Sequence, residues 1–510
     1  MFQWLLEQYG MQLDPIFISA FSIFLVTLLY TLIRPRTNKL NLPPSPSKLP
    51  IIGNLHQLGT LPHRSLQSLA RKHGPLMLLH LGQTPALIVS SDDAAKEVIQ
   101  IQDFNFCNRP RMSFAERLLY SSKDLAFSPY GEYWKQMRKI STQHLLSGHR
   151  VESFRTVREE EANIMIDKIH EYCSSASSVV NLSELIYSFT NNVVCRVAMG
   201  RKFDAGEGAK KFSELITEFM NLIGVFNVAD YIPWLSIINN FNGLNARVRK
   251  SSKEMDCFLE SVIQDHIDPK KKTNSGVEDF IDVLLGMQND STNRVSFARD
   301  NIKAVILDMF AAGTDTSAVT LVWAMTELIK HPEIMKEVQA EIREISKGKL
   351  HITEDDLGQM HYLKMVIKEA LRLHSPASIF VPHESIQDTK LLGYDIPAKT
   401  RIFINQWAIA NDPMLWDEPE EFRPKRFLNT SIDYQGKDFK FFPFGAGRRG
   451  CPGILFATPN MELPLANLLY HFNWSLPNGL KSKDVDVAEE FGIILHKKSP
   501  LLLVPTPCGF

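Results

Sequence analysis

Hydrophobic and polar positions alternate along this chain in three distinct ways. The first is an unbroken apolar run. Residues Ile16 to Ile33 (IFISAFSIFLVTLLYTLI) hold eighteen positions without a charge. As a helix the run spans about 27 Å, close to the ~30 Å hydrocarbon core of a bilayer. Glu7 and Asp14 precede it, and Arg34, Arg36, Lys39 and Lys48 follow. Positive charge on the C-terminal flank leaves the following chain on the cytosolic side. The flanking charges are reversed for a cleaved leader, and no small-residue cleavage site follows. Residues 1–36 therefore read as a membrane anchor. Residues 37–53 (ending LPPSPSKLPIIG) read as a proline-rich hinge, stiffened by fixed φ angles and missing N–H donors.

The second pattern has helical spacing. It predicts helices over Arg150–His170, Lys210–Ile223, Asn245–Ile267, Asp300–Lys330, Pro332–Ser346 and Leu363–Leu373. The third consists of β-branched and aromatic runs cut by Gly and Pro, at Leu76–Ser90 and Lys390–Asn405, and predicts short strands and hairpins. With no internal repeat and no second linker, residues 54–510 read as a single large domain, mainly α with a smaller β part. Within it Asp300–Lys330 is apolar nearly all round, as a helix buried in a large core must be. Its middle nevertheless reads Gly313-Thr314-Asp315-Thr316-Ser317. A carboxylate and three hydroxyls there are costly unless hydrogen-bonded. Either a threonine bonds back to the carbonyl one turn earlier, or the helix opens past a ligand and these groups handle protons.

Composition narrows the classes. Fifty-six basic residues against 57 acidic ones leave a net charge of −1, without the basic excess that nucleic-acid binding over the surface requires. Six cysteines, none in a CxxC pair, exclude a disulfide scaffold and leave thiols as the default. The chemistry then centres on Phe444–Gly453, FGAGRRGCPG. Its glycines match GxGxxG, but Cys-Pro-Gly interrupts the turn, and the downstream acid Glu462 falls inside the next helical run, so a dinucleotide site is rejected. The glycines suit a loop held close to a flat ligand. Arg448, Arg449 and a helix start just after Cys451 all favour thiolate there. A thiolate is either a nucleophile or a metal ligand, and no His or oxyanion motif supports the former.

The frame Phe444-x-x-Gly447-x-Arg449-x-Cys451-x-Gly453 resembles the haem-ligand loop of the cytochrome P450 family. Four more motifs agree in order. Ala312-Gly313-Thr314-Asp315-Thr316-Ser317 is similar to the oxygen-activation motif, Glu369-Ala370-Leu371-Arg372 to the E-x-x-R pair, Pro424-Lys425-Arg426-Phe427 to the P-E-R-F element, and Trp134-x-x-x-Arg138 to the haem-facing helix. The resemblance extends over residues 16–505 and is nearest the plant microsomal branch that oxidises specialised metabolites. It implies the cytochrome P450 fold and a haem b cofactor ligated axially by Cys451. Arg449, Trp134 and Arg138, with Phe444 and Gly447 in the loop, would hold the haem. Asp315 and Thr316 would pass protons during catalysis. Glu369, Arg372 and Arg426 would brace the haem loop, and Lys425 departs from the family's glutamate without disturbing that role. His383 stands where close relatives carry an arginine that meets a propionate. Because His is charged only when protonated, haem retention is expected to weaken at high pH relative to a His383→Arg variant.

The same resemblance implies a monooxygenase that uses O2 and NADPH-derived electrons, delivered by NADPH–cytochrome P450 reductase at the endoplasmic reticulum membrane. Lys135, Lys139 and Arg448 are candidates for a basic docking patch. The substrate would be a small hydrophobic terpenoid, coumarin, phenylpropanoid or alkaloid, in a pocket lined by Phe114, Leu118, Phe310, Ala311, Ala377, Ile379, Phe380, Ile493 and Ile494. Two alternatives remain: a non-oxidative haem-thiolate lyase such as an aldoxime dehydratase, and an anchored carrier without catalysis.

Overall fold

The protein's structure, a computed structural model, describes residues 15–32, 40–173, 179–203, 206–225, 227–270, 277–288 and 297–508. It divides into two units, Met1–Leu42 and Pro43–Phe510. In the first, Pro15–Leu32 is an 18-residue helix without a charged residue. The charged flanking residues before position 15 and at 33–39 lie outside the described residues.

In the second unit the stretch expected as a hinge is tied to the body from Pro43 onward. Leu78 N donates to Pro44 O, Gly53 N to Leu49 O, and the Asn54 amide to Ser47 O. Proline leaves its carbonyl free to accept even though it cannot donate, and the neighbouring strand uses that acceptor. This strand, Leu76–Leu81, pairs antiparallel with Thr84–Val89. Arg401–Ile404 runs parallel to Thr84–Val89, and His383–Glu384 closes the four-stranded sheet. A second sheet joins Val180–Asn181, Leu502–Pro507 and Phe472–Ser475.

Helices make up most of the remainder. The central helix, Arg299–Lys330, is continuous through its polar middle. At 32 residues it is long and apolar enough to cross a membrane, yet it is largely buried in the body. It packs most extensively on Leu182–Met199, a helix that the periodicity did not reveal, and also on Ile454–His471, which follows Cys451. Gly313 sits at the first contact, where a Cβ would lie 3.0 Å from Val194 Cγ2. The long helix expected from Arg150 is two pieces, Gly148–Ser153 and Arg155–Cys173.

Two buried groups on Ile454–His471 respond to pH in opposite senses. Burial pushes the Glu462 carboxyl up to about 7, and burial with the neighbouring His351 and His170 pushes His471 down to about 4. The folded state thus holds the Glu462 proton more tightly than the unfolded chain, so this term loses stability as pH rises from the ordinary carboxyl range through 7. The folded state resists protonating His471, so that term loses stability as pH falls from the ordinary imidazole range toward 4. Each is worth at most about 3 kcal/mol. Relative to wild type, Glu462→Gln is expected to gain stability more steeply between pH 5 and 7, and His471→Gln to lose it, in thermal unfolding. Parallel profiles for all three proteins would refute this.

Candidate active site

The loop before Ile454–His471 owes its shape to close backbone contacts. Cys451 N donates to Phe444 O at 2.8 Å, and Gly450 N to Gly447 O at 3.2 Å. Gly447 adopts φ 65°, and a Cβ there would lie 2.3 Å from Ile99 O, so only glycine fits. The loop is thereby pressed onto residues 97–106, where Arg448 pairs with Asp103 at 3.1 Å. Cys451 sits at its end, half-buried, with its sulfur accepting from Gly453 N at 3.3 Å.

The electrostatics differ from the sequence expectation. Arg448 turns to Asp103, and Arg449 donates to Cys107 O and Ser128 O, so neither supports a thiolate directly. Burial pushes the Cys451 thiol up, opposed by the Gly453 N–H and the positive charge of Arg138. A metal cation at this sulfur would favour its thiolate form.

Three guanidinium groups gather near this loop. Arg449 lies 4.1 Å from the Trp134 ring centroid, Arg138 Nη2 donates to Gly450 O at 2.5 Å, and Arg109 donates to Ala126 O, Val381 O and Pro382 O. Trp134 Nε1 donates to Leu125 O, so the ring face, not the N–H, is what Trp134 offers to Arg449. Burial depresses all three arginines, Arg449 to about 10, and Arg109 and Arg449 repel each other. Among the described residues no carboxylate lies at ion-pair distance from any of them; Asp103 and Asp124 act only from farther away. Arg109 was not singled out from the sequence, where it is one arginine in a loop with no local signal.

His383 lies in the same neighbourhood, buried, with Nδ1 bonded to Phe106 O at 2.9 Å. Burial and the charges of Arg109 and Arg449 push it well below the ordinary imidazole range. It therefore stays neutral at physiological pH. The high-pH loss of haem expected through His383 therefore has no titrating group behind it in this structure.

Glu369 and Arg372 are fully buried and form a two-pronged pair at 2.8 Å for both bonds. Their i, i+3 spacing on the helix His361–Leu373 brings the side chains together. Arg426 Nε and Arg423 N both donate to Glu369 Oε1 at 2.9 Å. Arg372 reaches on to Ala410 O, Pro419 O and Glu421 O. The segment leading to the cysteine loop is thus fastened to this helix. Lys425 instead pairs with Glu337 on the surface.

On the central helix Ala312 is exposed, and Ala311 and Thr316 are half-buried, although residues on both sides are enclosed. One face of the helix middle therefore borders open space. Thr316 Oγ1 donates to Ala312 O at 2.5 Å, the back-bonding arrangement considered from the sequence. Thr314 and Ser317 hydroxyls are buried without a hydrogen-bond partner among the described residues. Asp315 faces a cavity of about 1000 Å³, next to His496.

The expected pocket residues are not all brought together. Phe114, Leu118 and Phe310 share one core cluster, with Ala311 against it. Phe380 packs edge-on to Phe442 below the cysteine loop, while Ile379 belongs with Leu66 and Met77. Ile494 packs on Val319 and Trp323, Ile493 packs against both that group and the cluster of Phe114, Leu118 and Phe310, and Ala377 is half-buried. Phe444 stands edge-on to Tyr434.

The family model described as Cytochrome P450 matches residues 43–504. The chain is a cytochrome P450. It is 49% identical to "Cytochrome P450 736A117" of Prunus mume, over 97% of this chain and 96% of that protein. It is 46% identical to (+)-menthofuran synthase of Mentha piperita, over 96% of this chain and 98% of that one. Among solved structures, a zebra fish cytochrome P450 with progesterone aligns with a TM-score of 0.76 at 27% identity, covering 88% of this chain and 99% of that chain. This cytochrome P450 is accordingly an oxidoreductase of the monooxygenase type, with a haem cofactor and O2-dependent chemistry. Its residues fit haem. One buried and two half-buried guanidinium groups without carboxylate partners suit a dianionic group, and a cysteine sulfur presented at the end of a braced loop suits iron.

Proposed function

We propose that this cytochrome P450 is an endoplasmic-reticulum enzyme that oxygenates a small hydrophobic plant specialised metabolite, such as a terpenoid, coumarin, phenylpropanoid or alkaloid, with electrons from NADPH. The observation that carries the reading is Cys451, presented by a braced loop beside three arginines that lack partner carboxylates. The plant relatives, one named a menthofuran synthase, support the substrate class.

Cys451 would hold the haem iron through its sulfur, and Arg109, Arg138 and Arg449 would offer donors to the propionates. Haem bound there supplies O2 activation and insertion of one oxygen atom into substrate. Thr316 gives its own proton to Ala312 O, which leaves its oxygen lone pairs to accept from water or reactant at the open face of the helix. Asp315, next to Thr316 in the chain, has its carboxyl pushed up by burial and holds a proton more readily than a free aspartate; delivery to the open face requires its side chain to turn. Phe114, Leu118, Phe310 and Ala311 provide the apolar wall that keeps water out.

The partner is NADPH–cytochrome P450 reductase. Lys135 and Arg448 already pair with Glu132 and Asp103, so docking through this face exchanges ion pairs instead of using unpaired charge, and its salt dependence is expected to be shallow. Anchoring rests on the uncharged helix Pro15–Leu32. In the body, Leu49 and Ile51 on one segment and Trp234, Ile237 and Phe241 on another are exposed apolar residues suited to contact with a bilayer.

Purified full-length protein with reductase, NADPH and isotopically labelled O2, supplied with substrates selected by Soret shift, is expected to place one labelled oxygen in product. Turnover that consumes neither NADPH nor O2 would contradict this and identify the lyase alternative.

A further inference from the structure

The back of the central helix carries a second constellation. Asp315 Oδ2 lies 3.7 Å from His496 Nε2, and His496 Nδ1 lies 2.9 Å from the Tyr187 hydroxyl, with the two rings stacked. The three residues come from three elements: the central helix, the hairpin Glu489–Phe491/Leu495–Lys497, and the helix Leu182–Met199. All three line the cavity of about 1000 Å³ that Asp315 faces. Its wall includes Thr314, Val319 and the expected pocket residue Ile493, but not Cys451, Ala312 or Thr316.

We infer that Tyr187 and His496 are positioning residues that relay protons from water in this cavity to Asp315. The inference rests on the monooxygenase reading, because it names the supply line for the acid used there.

The bonding order supports the direction. Tyr187 is held protonated, since burial and the nearby Asp315 push its phenol up, so it is the donor to Nδ1. The imidazole then carries its hydrogen on Nε2, facing a carboxylate that only accepts when ionised. In one transfer Nδ1 takes a proton from the Tyr187 hydroxyl, which regains one from a hydronium ion in the cavity and leaves water there, and Nε2 gives a proton to Asp315. No electrons move. The ring is left in its other neutral tautomer, which exchange with water reverses. The 3.7 Å gap exceeds a hydrogen bond, so transfer needs a small side-chain rotation or one bridging water.

The other charged groups facing Asp315 across the cavity are few. Glu184 comes from Leu182–Met199, and Glu490 and Lys497 from the hairpin. Lys497 Nζ is engaged with Ser499 O at 2.8 Å. The helix Gly206–Gly224 contributes only uncharged residues to the wall. Among the described residues His496 is the only basic side chain within 4 Å of the Asp315 carboxylate, and its removal isolates that group.

The test uses haem-loaded full-length protein. The infrared carboxyl band of Asp315 is identified by its loss in Asp315→Asn. In His496→Gln that band is expected to persist to higher pH than in wild type, because the imidazole whose proximity favours the carboxylate is gone. Product formed per NADPH is expected to fall roughly tenfold in His496→Gln. Haem content and substrate Soret shift should be retained. The double variant with Asp315→Asn should be no worse than Asp315→Asn alone, and Tyr187→Phe should show a weaker loss. An unshifted carboxyl band, or losses that add in the double variant, would overturn the relay. A wild type that lacks haem and turnover would instead overturn the functional reading, and the two failures are told apart by wild type alone.

Discussion

Glu369→Ala is expected to destabilise the protein by about 3–5 kcal/mol, because it leaves two arginines buried or nearly so without their shared carboxylate. Arg372 is fully enclosed, and Arg426 is almost so. Their carbonyl partners at Ala410, Asp417, Pro419 and Glu421 were positioned around a charge-balanced triad. Arg423 N also loses its acceptor. The damage should travel, since Phe427 in this segment packs on Phe441, and Phe441 leads directly into the cysteine loop. Haem retention should therefore fall together with the thermal midpoint. Lys425→Ala makes the control. It breaks an exposed pair with Glu337, expected to be worth under ~1 kcal/mol. Equal effects of the two substitutions on unfolding would mean that the buried triad contributes no more than a surface pair.

Much of this fold was readable because its signals are local. Leu76–Ser90 is a hairpin, and the central helix ends within a residue of the expected boundaries. Leu182–Met199 escaped because Thr190, Val193, Val194 and Val197 favour strands and blur the helical period; packing against the central helix decides it. Ile454–His471, expected as the helical run after Cys451, holds Pro459 and Pro464 inside it, and its burial in the core keeps it whole.

The site divides along the same line. The Glu369–Arg372 pair is one helical turn and is legible as such. The joining of Arg109, Arg138 and Arg449 depends on three separate segments meeting, and no spacing encodes it. The charge around Cys451 was misjudged for a related reason. Adjacent in sequence, Arg448 and Arg449 turn to Asp103 and to backbone carbonyls, while Arg138, more than 300 positions away, reaches the loop at Gly450 O. His496 and Asp315 likewise meet only through the tertiary fold.

Cys451→Ser is the second large effect. A serine hydroxyl keeps the size of the side chain and its contact with Gly453 N, but it does not become an anionic sulfur ligand for iron. The fold should survive, because the loop is shaped by Gly447 and by backbone bonds that do not involve the sulfur. Catalysis should not. Loss is expected to be complete within detection, with thermal unfolding of the polypeptide shifted far less than in Glu369→Ala.

The most direct measurement is the carbon monoxide difference spectrum of the reduced, purified full-length chain beside its Cys451→Ser variant. Wild type is expected to show the thiolate-type carbonyl band and to turn over, and the variant to show neither. A serine variant with the wild-type band and full turnover would contradict the assignment of Cys451 as the haem ligand.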